Sequence, residues 1–258
     1  MCVLAFACDA HPRWRLVLAG NRDERHARDS APIGRWIDAP VYGGRDLEAG
    51  GTWLAADAFG RAGVVTNVRD GPAVAVGAAG PSRGLLVADF LRGSLAAGEF
   101  ARRIDAESLQ YRPFNVVLFD TDGAWFAGNH PRSCAPVEAG RVHGLSNGAL
   151  DAPWPKTLRI MAALREWLVR DAGEPPFTPL FDALADRTIA PDASLPDTGV
   201  GPALERRLSP VFVRGSDYGT RASTVLALSR AGGGMLVERR FGPDGVPIGE
   251  SHVVIEPA

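Results

Sequence analysis

The chain opens with two short, continuously apolar runs, residues 2–8 (CVLAFAC) and 14–19 (WRLVLA), separated by the turn-rich DAHPR. An apolar run with little alternation is the pattern of a strand covered on both faces. A short polar connection containing proline closes such a pair into a hairpin. The sequence therefore predicts a hairpin in the interior of a sheet, at a place where most domains have a frayed terminus. A sheet covered on both sides needs further layers, and 258 residues can supply them within a single domain, 1–258.

The rest of the chain is read for those layers. Residues 21–51 are polar and Gly-rich and predict a loop of about thirty residues, a length usually kept for function. A second hairpin follows over 52–68 (TWLAAD, AFG, RAGVVTNV), and 82–109 predict two helices, with Ser82 as N-cap of the first. Strands are expected at 114–120, 124–128 and 141–147. Residues 154–171 predict an amphipathic helix with Pro155 in its first turn and Leu158, Met161, Ala162, Leu164, Leu168 and Val169 near one face. A helix near 178–186 leads into a Pro/Asp/Gly-rich ordered loop or lid, and the last strands are expected at 219–229, 235–241 and 252–256. Runs of antiparallel strands alternating with helix pairs indicate an α+β fold, with two mainly antiparallel sheets between helix layers.

Charge and motif content remove several function classes. The formal net charge of −2 provides no basic face, so nucleic acid is not an expected partner. No 18-residue apolar stretch is present for a membrane span, and Asp9, His11, Arg13 and Arg15 interrupt any signal-peptide core. Cys2, Cys8 and Cys134 have no C-x-x-C spacing and do not suggest a disulfide framework; the expected compartment is the cytoplasm. The histidines at 11, 26, 130, 143 and 252 are scattered, so no metal site is expected. Neither a dinucleotide fingerprint nor a P-loop occurs. Lys156 is the sole lysine beside abundant arginine, the coding bias expected of a GC-rich bacterium.

Position 2 carries the chemistry. Removal of Met1 leaves Cys2 with both a thiol and a free α-amine, whose pKa near about 7.7–8.0 suits it to take a proton from the sulfur. The thiolate is the reactive form. The plainer alternative is a small apolar residue in the first core strand, as expected of Cys8. Asn67 and Asn147 each end an apolar run, where their amides could donate to an oxyanion, or serve only as turn residues. Asp23 or Glu24 could hold the Cys2 ammonium. Asp46 and Glu48 form a weaker carboxylate pair, read more simply as a hydrogen-bonded loop, and Trp36, Trp53, Trp125 and Trp154 as core or pocket wall.

GNRDERHAR at 20–28 resembles the signature of the NRDE family, also called the transport and Golgi organisation 2 family. The likeness continues through GGRDLEAGGTW (43–53), TNVRD (66–70), SRG (82–84), FNVVLFD (114–120), GLSN (144–147), PWPK (153–156), LPDTG (195–199) and YGTRASTV (218–225). That family is similar to cysteine N-terminal-nucleophile (Ntn) hydrolases, which implies an αββα sandwich and a linear amide or acyl substrate. By the resemblance Cys2 matches the nucleophile, Asp23 sits in the acidic element, Asn67 and Asn147 match the two asparagines, and Arg221 matches a late arginine that orients the nucleophile. Asn21, Arg22, Glu24, Arg45 and Trp53 are the expected substrate contacts. In the G-R-x-x-D place, Gly20–Glu24, Asn21 stands where the arginine belongs and Glu24 where the aspartate does. The arginine is then either displaced to Arg22, a shift that turns a strand side chain to the opposite face, or lost. The resemblance also implies an alternative, non-catalytic haem or acyl-CoA/lipid trafficking on the same fold. There the 21–51 loop and the 190–217 segment frame an apolar pocket. No cofactor is required by either reading, and the second admits haem as a bound ligand.

Overall fold

The two apolar runs form β1 (Cys2–Cys8) and β2 (Trp14–Arg25), paired antiparallel from Cys2 opposite Arg22 to Cys8 opposite Leu16. The structure, a computed structural model, describes residues 2–71, 80–170 and 177–258. After β2 the chain builds a seven-stranded antiparallel sheet in sequence order: β3 (Ser30–Arg35), β4 (Val41–Asp46), β5 (Leu54–Asp57), β6 (Ala62–Asn67), β7 (Phe114–Asp120), β8 (Gly123–Asn129) and β9 (Arg132–Val137). The chain then returns as β10 (Val142–Leu145), β11 (Tyr218–Ser229), β12 (Gly234–Phe241) and β13 (Pro247–Ile255), which complete a six-stranded sheet of order β10-β1-β2-β11-β12-β13. The N-terminal hairpin thus lies inside its sheet, flanked by β10 and β11.

Side-chain alternation explains the layers. Leu4, Phe6, Leu16 and Leu18 point one way and meet Leu54, Val64, Val117 and Phe119 of the second sheet. Val3, Ala5, Val17 and Ala19 point the other way, onto Ile160 and Leu164 of α3 (Pro155–Leu168) and Leu180 of α4 (Thr178–Leu184). The outer face of the second sheet, Val65, Phe114, Val116 and Leu118, is covered by α1 (Gly84–Arg92) and α2 (Ala97–Glu107) through Leu86, Phe90, Phe100 and Ile104. The result is an α+β sandwich with its two antiparallel sheets between helix layers.

Several expectations need correction. The expected loop at 21–51 is mostly strand: β2 runs to Arg25, and β3 and β4 follow. Polar residues fill these strand positions because the ladder hydrogen bonds come from the backbone, while their side chains face a cleft or solvent or, as at Asn21 and Asp23, make buried hydrogen bonds. In α3 the buried apolar set is Ile160, Met161, Leu164 and Trp167, and Leu158 and, just past the helix end, Val169 are exposed. The helix ends at Leu168; Asp171, its expected last residue, lies outside the described residues. β9 went unread because its side chains are mainly exposed, with no apolar alternation, and α5 (Pro202–Arg207) because it is a single short stretch within the 190–217 segment. Among the described residues no helix is long and apolar enough to cross a membrane.

Candidate active site

Cys2 begins β1 and lies opposite Arg22 across the ladder, so the two side chains share one face, the one between the sheets. Side-chain hydroxyls bonded to backbone carbonyls fix this end of the strand. Ser146 Oγ donates to the Cys2 carbonyl at 2.8 Å, and Thr66 Oγ1 donates to the Ser146 carbonyl at 2.8 Å, which ties the end of β10 to β6 of the facing sheet. The thiol is half-buried. Burial pushes its pKa up, while the Arg22 guanidinium and the Asp23 backbone N–H, directed at the sulfur, pull it back.

The next residues of β2 alternate away. Asn21 is 2% exposed and faces the helix layer, where its Nδ2 donates to the carbonyls of Leu184 (2.8 Å) and Val211 (2.9 Å) and its Oδ1 accepts from Ser223 Oγ (2.6 Å). Asp23 turns the same way and is equally buried. Its Oδ1 accepts from Thr220 Oγ1 at 2.6 Å and its carbonyl from Tyr218 Oη at 3.2 Å. Burial raises the Asp23 pKa, opposed by the Lys156 ammonium among others. Lys156, in the first turn of α3, is 2% exposed, and its Nζ has no hydrogen-bond partner among the described residues. Burial pushes Lys156 down to about 8, with Asp23 resisting. β2 and β11 slip register between Thr220 and Ala222, so Arg221 is bulged out. Its Nη1 donates to the carbonyls of Arg25 (2.9 Å) and Arg28 (2.8 Å).

In front of Cys2 lies an open cleft of about 710 Å³, a figure that includes solvent at its mouth. Arg22 forms one wall, its guanidinium 5.2 Å from the Trp53 ring centroid. Arg28 is held by Asp46 (2.8 Å) and Glu48 (3.1 Å), with Glu24 at 3.9 Å. Asn67, the last residue of β6, lines the floor. The fully buried Asn147 donates through Nδ2 to the Asn67 carbonyl (2.8 Å) and to Asn67 Oδ1 (3.1 Å). With Oδ1 held by that donor, Asn67 turns its Nδ2 outward, where its one intramolecular bond is a long 3.5 Å contact to the Val68 carbonyl. Asn67 therefore has a donor to offer a ligand, and Asn147 has spent its own on orienting it. Behind Cys2 the two sheets close over Leu4, Leu18, Leu54 and Val64 and leave only a narrow, mainly apolar crevice.

The chain's relatives bear on this arrangement. A family model described as Transport and Golgi organisation 2 matches residues 1–243. The mouse Transport and Golgi organization 2 homolog is 30% identical over 259 residues, which covers 93% of this chain and 92% of the mouse protein. The bovine homolog is 31% identical over 263 residues, with the same coverage. The chain belongs to the Transport and Golgi organisation 2 family. Among solved structures, the Caenorhabditis elegans N-acylethanolamine-hydrolyzing acid amidase ortholog superposes with a TM-score of 0.51 over 87% of this chain and 92% of that one. At 12% identity the likeness is one of fold, an Ntn-hydrolase-like sandwich.

In this member of the Transport and Golgi organisation 2 family, Cys2, Arg22, Asp23, Glu24, Trp53 and Asn67 meet at the cleft. Four other expected site residues do not line it. Asn21 faces the helix layer with its amide saturated, so it contacts no substrate in the cleft. Arg45 lies against the Trp36 ring (4.5 Å) and pairs with Asp38 (3.1 Å). Asn147 sits beneath Asn67, and Arg221 is carried off by the bulge. The 190–217 segment frames a different hollow, bounded by Arg69, Trp154 and Thr198. Arg22, the residue after Asn21, occupies the face of Cys2. Sequence reasoning missed Arg28, Thr52, Arg83, Arg112 and Lys156 as site neighbours and favoured a loop role for Asp46, which lines the cleft. Ser82 lines the cleft, and the helix N-cap is Arg83. The SRG block at 82–84 was the available signal for part of this set.

Proposed function

We propose that this protein is a cysteine N-terminal-nucleophile amidohydrolase that cleaves a linear amide. The observation carrying the proposal is the placement of Cys2, with Arg22 opposite and the outward Asn67 Nδ2 in the same cleft. With Met1 removed, the Cys2 α-amine takes the thiol proton and the sulfur attacks the amide carbonyl. Asn67 Nδ2 donates to the oxyanion as it forms. Collapse of the tetrahedral species breaks the C–N bond, and the ammonium returns its proton to the departing amine. Water, deprotonated by the same amine, then hydrolyses the thioester and restores the thiol. The buried Asp23 carboxylate holds the ammonium, and Arg22 offsets the thiolate charge. The fold shared with the Caenorhabditis elegans N-acylethanolamine-hydrolyzing acid amidase ortholog supports this reading.

Haem carriage fits this cleft less well. Its large apolar side chains are Trp53 and Val65, its other walls are mostly charged or polar, and Cys2 is the only soft iron ligand among its lining residues. The experiment is a screen of N-acyl amides by amine release, with wild type beside Cys2→Ala and Cys2→Ser. Wild type is expected to turn over at least one amide, with loss of about 10³-fold or more in Cys2→Ala and no change in fold. Equal turnover by Cys2→Ala overturns the mechanism.

A further inference from the structure

The cleft holds two arginines that neither the proposed mechanism nor, among the described residues, an ion pair uses. Arg83 caps α1, and Arg112 lies in the connection that leads into β7. Both line the cleft that Cys2 opens into. Arg28 on the same wall is paired with Asp46 and Glu48, and Arg22 is stacked on Trp53. Arg83 and Arg112 have no carboxylate within ion-pair distance among the described residues. Arg83 Nη1 instead donates to the Pro113 carbonyl at 2.8 Å, and that bond holds its guanidinium beside the residue following Arg112. Residues 72–79, which lie just before Ser82, carry no charged side chain. Burial, and then the nearby Arg112, push Arg83 down to about 10. Two like charges in a partly desolvated cleft repel one another, and an anion placed between them relieves that cost.

We infer that the ligand of this cleft is an amide with an oxyanion-bearing end, a carboxylate or phosphate, that Arg83 and Arg112 bind. This rests on the Cys2-centred reading for the identity of the amide; the anion site itself does not. The test is equilibrium binding to the Cys2→Ala protein by NMR titration. The ligands are N-butyrylglycine, its neutral glycinamide analogue and N-butyryl-aminomethylphosphonate. Arg83→Gln and Arg112→Gln are measured beside the parent; the second variant removes no hydrogen bond given above and guards against misfolding of the first. The expected result is a preference of at least about 10-fold for an anionic ligand over the neutral one, falling below about 3-fold in each variant. The stronger of the two anions identifies the source as carboxylate or phosphate. Equal binding of anionic and neutral ligands, no binding of any, or a preference untouched by both variants overturns the inference. Anion preference without turnover by wild type leaves the inference standing and counts against the hydrolase reading.

Discussion

Arg22 shows how a single position decides the chemistry. Strand geometry gives it the same face as Cys2, while its neighbours Asn21 and Asp23 are turned to the helix layer. Asn67 and Asn147 divide a job that two equal asparagines would share. Replacing Asn67 by Ala removes the oxyanion donor and should lower kcat by about 10²–10³-fold. Asn147→Ala leaves the donor but frees it to rotate, and a smaller loss of about 10-fold in kcat at unchanged fold is expected; steady-state kinetics of the two variants check this. Lys156 offers a pH test. Its folded pKa of about 8 lies below its unfolded value, so the penalty for burying the charge is fully present below pH 8 and is relieved as pH rises. Between pH 8 and 9 the unfolded chain keeps more protons at this site than the folded one. Wild type should therefore gain about 1 kcal/mol relative to Lys156→Met over that interval, read from urea midpoints at each pH. A constant gap between the two proteins would contradict the assignment.

At the scale of elements, the β1–β2 hairpin was readable because both runs are apolar on both faces, and that pattern has few other uses in a chain of this kind. The end of β2 was not, because GNRDER has the polarity of a loop. It is a strand paired on both sides, whose polar side chains are spent on a cleft and on buried hydrogen bonds. Cys2 and Asn67 were legible as residues at the ends of apolar strands. Arg83 and Arg112 were not, since their meeting depends on how the start of α1 sits beside the entry to β7. Arg221 was misplaced for a related reason: sequence spacing cannot register a bulge. Gly20 belongs to this scale as well. A Cβ there would come within 2.7 Å of Leu4 Cβ and 3.0 Å of the Val3 carbonyl, both in the strand that carries Cys2. Gly20→Ala should cost about 1–3 kcal/mol and lower activity along with Tm, because β1 must shift to admit the methyl. Thermal unfolding and kinetics on one preparation would show whether the two losses go together.

For the whole molecule, two sheets packed face to face leave their ends open, and the cleft forms where the ends of β1, β2, β6 and β10 converge. The Thr66–Ser146–Cys2 chain of hydrogen bonds crosses from one sheet to the other at that place. A second polar cluster lies further along β10. His143 is 4% exposed and stacks on Phe6 at 5.4 Å, with Nδ1 against Asp151 Oδ2 and Nε2 against the Glu138 carbonyl, each at 2.8 Å. Burial opposes its charge, but the Asp151 hydrogen bond prevails and raises the His143 pKa; the same bond outweighs burial at Asp151 and lowers its pKa. The pair's contribution is thus present between the unfolded pKa values of the carboxylate and the imidazole. It is lost as pH rises through the His143 value, and lost as pH falls through that of Asp151. The stability gap between wild type and His143→Gln should be largest near pH 5–6, on the order of 1 kcal/mol, and shrink toward pH 8.

The most direct test of the Cys2 assignment is rapid-quench mass spectrometry of the native protein mixed with an amide that it hydrolyses. The N-terminal peptide should begin at Cys2, and at early times it should carry one acyl group on that residue as a thioester. A peptide that retains Met1 while turnover proceeds, or an acyl group that appears elsewhere on the chain, would contradict the account.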